Sequence, residues 1–191
     1  MKTGKSRILF LFGALILLLV FAFPLWSITL YAPQYPDGIT MYIWVNKISG
    51  STESVIQNIN ILNHYIGMKY IEPDTIPELR YFPYVVIGMT VAGIVIAIVN
   101  NKWGYLGWAV VLVILGALGI YDFYLWTYDY GHNLDPTAPI KIPGMVYQPP
   151  IFGQKMLLNF DARSYPHWGS FFLGLSVLTG IAAFVLKTKN R

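Results

Sequence analysis

The chain contains no cysteine. That absence excludes disulfides, a lipid-modified cysteine anchor, thiolate metal sites and CxxC redox chemistry. It fits an oxidising exterior without requiring one. Charge is scarce too, at 12% of residues, and four stretches have none. Ile8–Pro36, Tyr81–Asn101, Trp103–Tyr121 and Ser164–Leu186 hold no Lys, Arg, Asp or Glu. About 20 apolar residues at 1.5 Å rise cross a ~30 Å hydrocarbon core, so each stretch is long enough to span a bilayer. A Gly-rich phosphate loop, HExxH, a nucleophile elbow and CxxCH are all missing, so the common soluble-enzyme chemistries have no foothold. There is no internal repeat and no low-complexity tract.

The charges that remain are partitioned. Lys2, Lys5, Arg7, Lys102, Lys187, Lys189 and Arg191 lie on the short flanks with no acid among them, a sum of +7. Lys47, Lys69, Arg80, Lys141, Lys155 and Arg163 lie on the other side with all nine carboxylates, a sum of −3. Excess Lys and Arg on short loops marks the cytoplasmic face. Both termini are therefore expected in the cytosol, and segments 31–80 and 128–165 outside it. A pI near 9.2 then reports topology and argues for no nucleic-acid partner. The basic start suits a signal peptide, but the apolar run is too long and Phe23-Pro24-Leu25-Trp26 offers no small-x-small cleavage pattern, which favours a signal anchor.

These patterns predict an all-α integral membrane protein. It has one membrane domain with helices over about 8–30, 82–100, 103–127 and 167–186. Pro24 would kink the first, Pro83 suits a helix's first turn, and Asn100-Asn101-Lys102 reads as a tight hairpin. Trp26, Tyr31, Tyr81, Tyr84, Tyr124, Trp126, Tyr165 and Trp168 fall on the expected outer rim, with Trp103 and Tyr105 on the inner one, as interfacial aromatics do. Small residues recur four apart (Gly88 and Ala92, Gly93 and Ala97, Ser170 and Gly174, Ser176 and Gly180), a spacing that lets helices approach closely within a bundle or between subunits.

The first outer segment opens with turn residues (Pro33, Pro36, Asp37-Gly38), after which Ile39–Val45 has the content of a short strand. Ser51 or Thr52 can cap a helix with Val55, Ile59, Leu62 and Ile66 on one stripe and Gln57, Asn60, His64 and Met68 opposite. Such a helix is expected on the bundle roof or the membrane surface. In the second segment Pro136, Pro139, Pro143, Pro149 and Pro150 alternate with Ile140, Ile142, Met145, Val146 and Tyr147. Proline at that density opposes helix and central strand, so an extended, ordered lid with polyproline-like pieces is expected, a ready docking surface.

All three histidines, His64, His132 and His167, fall on the expected outer side, with Met68, Met145 and Met156. Thioether sulfur is a soft ligand for Cu(I), and imidazole serves both copper oxidation states. On a helix His64 and Met68 would point the same way; equally, they would cover a polar–apolar boundary. Asp129, His132 and Asp135 fall within nine residues that either hold a divalent metal or form a polar helix exit and turn. Asp122 is the one acid in an apolar span, a functional suspect that also lies near enough to the span's end to reach the interface. Asp161, Arg163 and His167 suit an ion pair or helix-start contact better than catalysis.

Three strings carry a resemblance: Leu62-Asn63-His64-Tyr65-Ile66-Gly67-Met68, then Asp135-Pro136-x-Ala138-Pro139-Ile140-Lys141-Ile142-Pro143-Gly144-Met145, then Tyr147-Gln148-Pro149-Pro150 with Gly153 and Lys155. Through them most of the chain resembles a group of small four-helix membrane proteins encoded beside nitrous-oxide reductase genes. The resemblance implies a periplasmic-face accessory that helps assemble or supply a copper enzyme. It implies copper as cofactor and a periplasmic or membrane protein as partner, besides the lipid bilayer. It makes His64, Met68, His132 and Met145 candidate ligands, with Met156 as a further one, and carries no catalytic residue. Two other roles stay open: a structural anchor that binds a partner through the proline-rich segment, and a quinol- or proton-linked redox subunit using Asp122.

Overall fold

The computed structural model describes residues 3–189. It is mixed α/β, which corrects the all-α expectation: a five-stranded antiparallel sheet stands on four long helices. Helix α1 (Thr3–Ile16) tightens into a 3-10 turn over Leu17–Phe21 and stops before Pro24. Proline has no N–H to continue a helix and pushes its predecessor toward extended backbone. The chain enters strand β1 at once (Trp26–Ala32), so the last part of the expected first span is sheet.

Strand β1 is followed by β2 (Tyr35–Ile43) and β3 (Ile48–Gly50); β4 (Gly153–Leu157) and β5 (Phe160–Pro166) come from the second long segment. The spatial order is β3-β2-β1-β5-β4. In β1 the register sets Ile28 opposite both Met41 and Ser164, and Leu30 opposite Ile39 and Ala162. Side chains alternate across a strand, which gathers Ile28, Leu30, Ile39, Met41 and Ala162 on one face. Thr29, Thr40, Tyr31, Asp161 and Arg163 fall on the other. Thr29 and Thr40 hydroxyls meet there at 2.9 Å, Arg163 pairs with Asp161 at 2.8 Å, and its guanidinium lies 4.5 Å from the Tyr31 ring centre. Antiparallel sheets commonly bury one face and leave the other wet. Trp26, Tyr31 and Tyr165, expected on a membrane rim, are strand residues.

Helix α2 (Val55–Ile66) covers the apolar face with Val55 and Ile59. It rests on the sheet, where the bundle roof or membrane surface was expected. The β4–β5 hairpin turns at Leu158-Asn159 with Leu158 at φ +57°, a region a side chain with Cβ enters at a cost.

Helices α3 (Glu78–Val99), α4 (Lys102–His132) and α5 (Trp168–Lys189) complete the bundle. With Gly4–Phe21 they are, among the described residues, the four helices long and apolar enough to cross a membrane. Helix α3 starts before the expected position and so encloses Pro83. Helix α4 runs past Thr127 to His132; its 31 residues are ~46 Å long at 1.5 Å each, so its last turns rise above the others into the cap.

Packing uses small residues. A Cβ on Gly13 would lie 1.8 Å from the Thr179 hydroxyl oxygen, and the buried Ser176 hydroxyl donates to the Gly13 carbonyl at 2.6 Å. Gly93 faces Ala14 and Trp108, and Gly180 faces Ala109, so those two small-residue rows pack inside one bundle. Gly88 and Gly174 face open space. Lys187 donates to the Asn100 carbonyl and side chain, which brings the end of α5 to the α3–α4 turn, opposite the cap.

Candidate functional site

The apolar sheet face, α2 and the raised end of α4 do not close completely. Between them is a cavity of about 320 Å³, lined by residues such as Ile28, Met41, Ile59, Met68, Trp126 and Tyr147. Ligand cavities begin at about 300 Å³ and are mostly apolar with a few placed polar groups.

Three sets of contacts build its walls. Asn60 accepts from the Ile71 amide at 2.7 Å and donates to the Ile71 carbonyl at 3.1 Å. Asn63, buried, donates to the Lys69 carbonyl at 3.0 Å. The returning chain is then held on α4: Lys69 pairs with Asp129 at 2.6 Å and the Tyr130 hydroxyl donates to the Tyr70 carbonyl at 2.9 Å. The third wall is the proline-rich segment, which over 136–150 is irregular chain with turns at Asp135–Ala138 and Ile142–Met145, where an extended lid was expected, before it enters β4. The Asp135 amide donates to Gly67, Ile140 to Tyr65 and Tyr147 to Gly131. Gly67 sits at φ +80° against Asp135, and a Cβ on Gly131 would meet Gln148 backbone at 2.3 Å. Only glycine admits both approaches.

Most buried polar side chains on the lining are paired. Thr127 donates to the Tyr124 carbonyl at 2.9 Å, and Asn63 and Tyr130 are paired as above. Two are not: the Tyr147 hydroxyl and the Trp126 indole N–H are buried without a hydrogen-bond partner. The Trp126 and Tyr130 ring centres lie 4.4 Å apart, yet the indole makes no bond of hydrogen-bonding geometry. A buried unpaired donor costs about 1–3 kcal/mol, so both atoms call for a partner.

The expected ligand residues are dispersed. Helix α2 ends at Ile66, and Gly67 turns the chain left-handed, with the Met68 amide donating to Asn63 in a Schellman closure. His64 stays exposed, stacked near Tyr70 with ring centres 6.2 Å apart. Met68 lines the cavity instead. The four-residue spacing fails as a ligand pair because the helix ends between the two. His132 stacks on Tyr128 at 3.8 Å and its Nδ1 meets the Tyr128 carbonyl at 2.9 Å; a carbonyl only accepts, so that nitrogen carries the proton. Met145 and Met156 are exposed. His167 lies between β5 and α5 against Tyr42, its Nδ1 buried and unpartnered. Among the described residues no three His, Asp or Glu side chains gather as a metal group. Each candidate copper ligand thus has its own neighbours: His64 has Tyr70, Met68 the cavity and His132 the Tyr128 carbonyl.

The acids are occupied structurally. Asp129 holds Lys69 and Asn133. Asp135 accepts from the Thr137 hydroxyl and amide, each at 2.7 Å, and these bonds hold its carboxyl below the usual carboxylate range. Asp122, half-buried on α4, is not part of the cavity lining.

The signal that could have revealed β1 and β5 is period-two alternation: Trp26-Ser27-Ile28-Thr29-Leu30-Tyr31 and Phe160-Asp161-Ala162-Arg163-Ser164-Tyr165 alternate in character, although the first runs through the end of the expected first helix. Tyr147 and Trp126 carry no such signal. Neither a family model nor a curated protein sequence matches the chain.

Proposed function

We propose that this is an accessory protein of the bacterial inner membrane whose sheet-bearing cap faces away from the cytosol and docks a protein partner through its proline-rich segment. One observation carries the reading. The segment is pinned to α2 and α4 along one side, yet presents Ile142, Met145 and Val146 outward, with Phe152 and Met156 further along, 68% and 63% exposed. Ordered chain that shows apolar side chains to water marks an interaction surface, and a segment fixed before binding loses little entropy on binding.

The orientation rests on charge. Lys5, Arg7, Lys102, Lys187 and Lys189 cluster at the end opposite the cap, and the carboxylates belong to the cap and its approaches. Positive residues on short flanks stay cytoplasmic. The family resemblance makes a component of copper-enzyme assembly the first partner to test. Copper is then that partner's cargo.

The test is site-specific photocrosslinking in cells, with a photoreactive residue at Ile142 or Met145 and, as control, at Gln57 on the outer side of α2. A discrete protein adduct from the first two and none from the third supports docking. Adducts with lipid alone, or none, reject it. A reporter fused after Arg191 is expected to be active in the cytosol, and activity outside would overturn the orientation.

A further inference from the structure

We infer that the cavity between the sheet, α2, α4 and the proline-rich segment binds a small amphipathic molecule with an apolar body and a carbonyl oxygen, the oxygen accepting from Tyr147 and Trp126. This goes beyond partner docking and stands or falls without it.

Size and lining define the body. The cavity of about 320 Å³ equals about ten water-sized volumes at ~30 Å³ each, room for roughly that number of methylene-sized groups. Ile28, Met41, Ile59 and Met68 offer it nothing but apolar surface, and the thioether of Met68 adapts its shape to a guest.

The two unsatisfied atoms define the head. Tyr147 is 2% exposed, and its hydroxyl has no partner; the Trp126 indole N–H interacts with the Tyr130 phenol without reaching hydrogen-bonding geometry. An indole N–H only donates, and a phenol can donate, so an acceptor answers both. A carbonyl oxygen has two lone pairs and can accept from either group, whereas an ammonium or another donor could satisfy only the phenol oxygen and leaves the indole unpaired. A carboxylate or ester at the end of an acyl chain, or a ring ketone carrying an isoprenoid tail, supplies that chemistry. The rim carries exposed Gln34 and Asn159 from two hairpin turns, and exposed Tyr65 and Ile140. Those turns lie at the end of the sheet away from the helices, so the guest enters from the aqueous side.

Full-length protein in nanodiscs of defined lipid would be titrated with decanoic acid and, separately, with a benzoquinone bearing a ten-carbon tail, following tryptophan fluorescence. Saturable binding of at least one probe is expected, and which one binds identifies the source. Tyr147→Phe, which removes only the hydroxyl, should weaken binding about tenfold, the equivalent of ~1.4 kcal/mol. Met41→Trp, which fills the cavity from the sheet side, should abolish it, and an unchanged melting temperature for Tyr147→Phe separates lost binding from lost folding. No saturable binding of either probe, or the same affinity in wild type and Tyr147→Phe, would overturn the inference. In that case the two donors are met by water alone.

Discussion

Replacing Gly131 with alanine should release the proline-rich segment while leaving the helix beneath it intact. Gly131 lies in the last turn of α4, and a Cβ there would come within 2.3 Å of both Gln148 N and Cα. Ordinary contact begins at 3.4 Å, so backbone would have to retreat by about 1 Å. Retreat stretches the Tyr147 amide bond to the Gly131 carbonyl, 3.0 Å in the native fold, whose loss costs about 1 kcal/mol. It also frees Tyr147, whose burial is worth roughly 2 kcal/mol by analogy with other large apolar side chains. Together these make about 3 kcal/mol, or more than a hundredfold in the detached fraction at 1.4 kcal/mol per decade. The helix does not share the cost, since alanine is a better helix former than glycine by about 1 kcal/mol. Hydrogen exchange reads the result directly: the Tyr147 amide should lose protection while α4 amides keep theirs. Gly107→Ala, on the same helix facing open space, is the control and should change neither. Unchanged protection at Tyr147 in the Gly131 variant would refute the packing argument.

Gly13→Val should separate α1 from α5, because the Thr179 hydroxyl oxygen already occupies the position of its Cβ at 1.8 Å; overpacking of this kind costs about 1–3 kcal/mol, and a lower unfolding temperature in detergent checks it. Asp135 should make the start of the proline-rich segment acid-sensitive. Its carboxyl is depressed by the Thr137 bonds, so its stabilisation is present above the ordinary carboxylate range and lost as pH falls through the depressed value. Faster exchange of the Thr137 amide at low pH, with no such pH dependence in Asp135→Ala, is the expected result. Leu158→Gly should stabilise the β4–β5 hairpin by up to about 1 kcal/mol, since leucine at φ +57° carries a left-handed penalty that glycine escapes; urea unfolding of both proteins measures the difference.

The four membrane-length helices were legible because an apolar, charge-free run of about 20 residues matches the thickness of a bilayer core. The sheet was harder to read for a physical reason. Trp26–Ala32 lacks charge as thoroughly as the helix before it, so hydropathy alone carried the first span through residues that pair as strand. Its period-two alternation and the proline at 24 were the contrary signals. The same holds for Ser164–Pro166, read as the approach to a helix although it closes β5. Ile39–Val45 was recognisable as strand from its β-branched and aromatic residues, and Val55 and Ile59 faced inward as their spacing predicts. The cavity was illegible. It is assembled by contacts between Gly67 and Asp135, and between Gly131 and Tyr147, that no local pattern encodes. The His64 and Met68 pairing failed locally, because Gly67 is a helix stop and a residue beyond it leaves the helical face.

Two neighbouring strands are continuous with two neighbouring helices: β1 leaves the end of α1 through Pro24, and β5 passes into α5 through His167. The Leu25 carbonyl accepts both the His167 amide at 2.9 Å and the Ser170 hydroxyl at 2.7 Å, which fastens the two junctions together. Sliding one of these helices along the other by a single residue would throw the β1–β5 ladder out of step and turn buried side chains to water. The sheet thus acts as a latch that fixes the relative height of two membrane-length rods. Cap and bundle must melt as one cooperative body, and a cap cut free of its helices would have nothing left to hold its central strands in step.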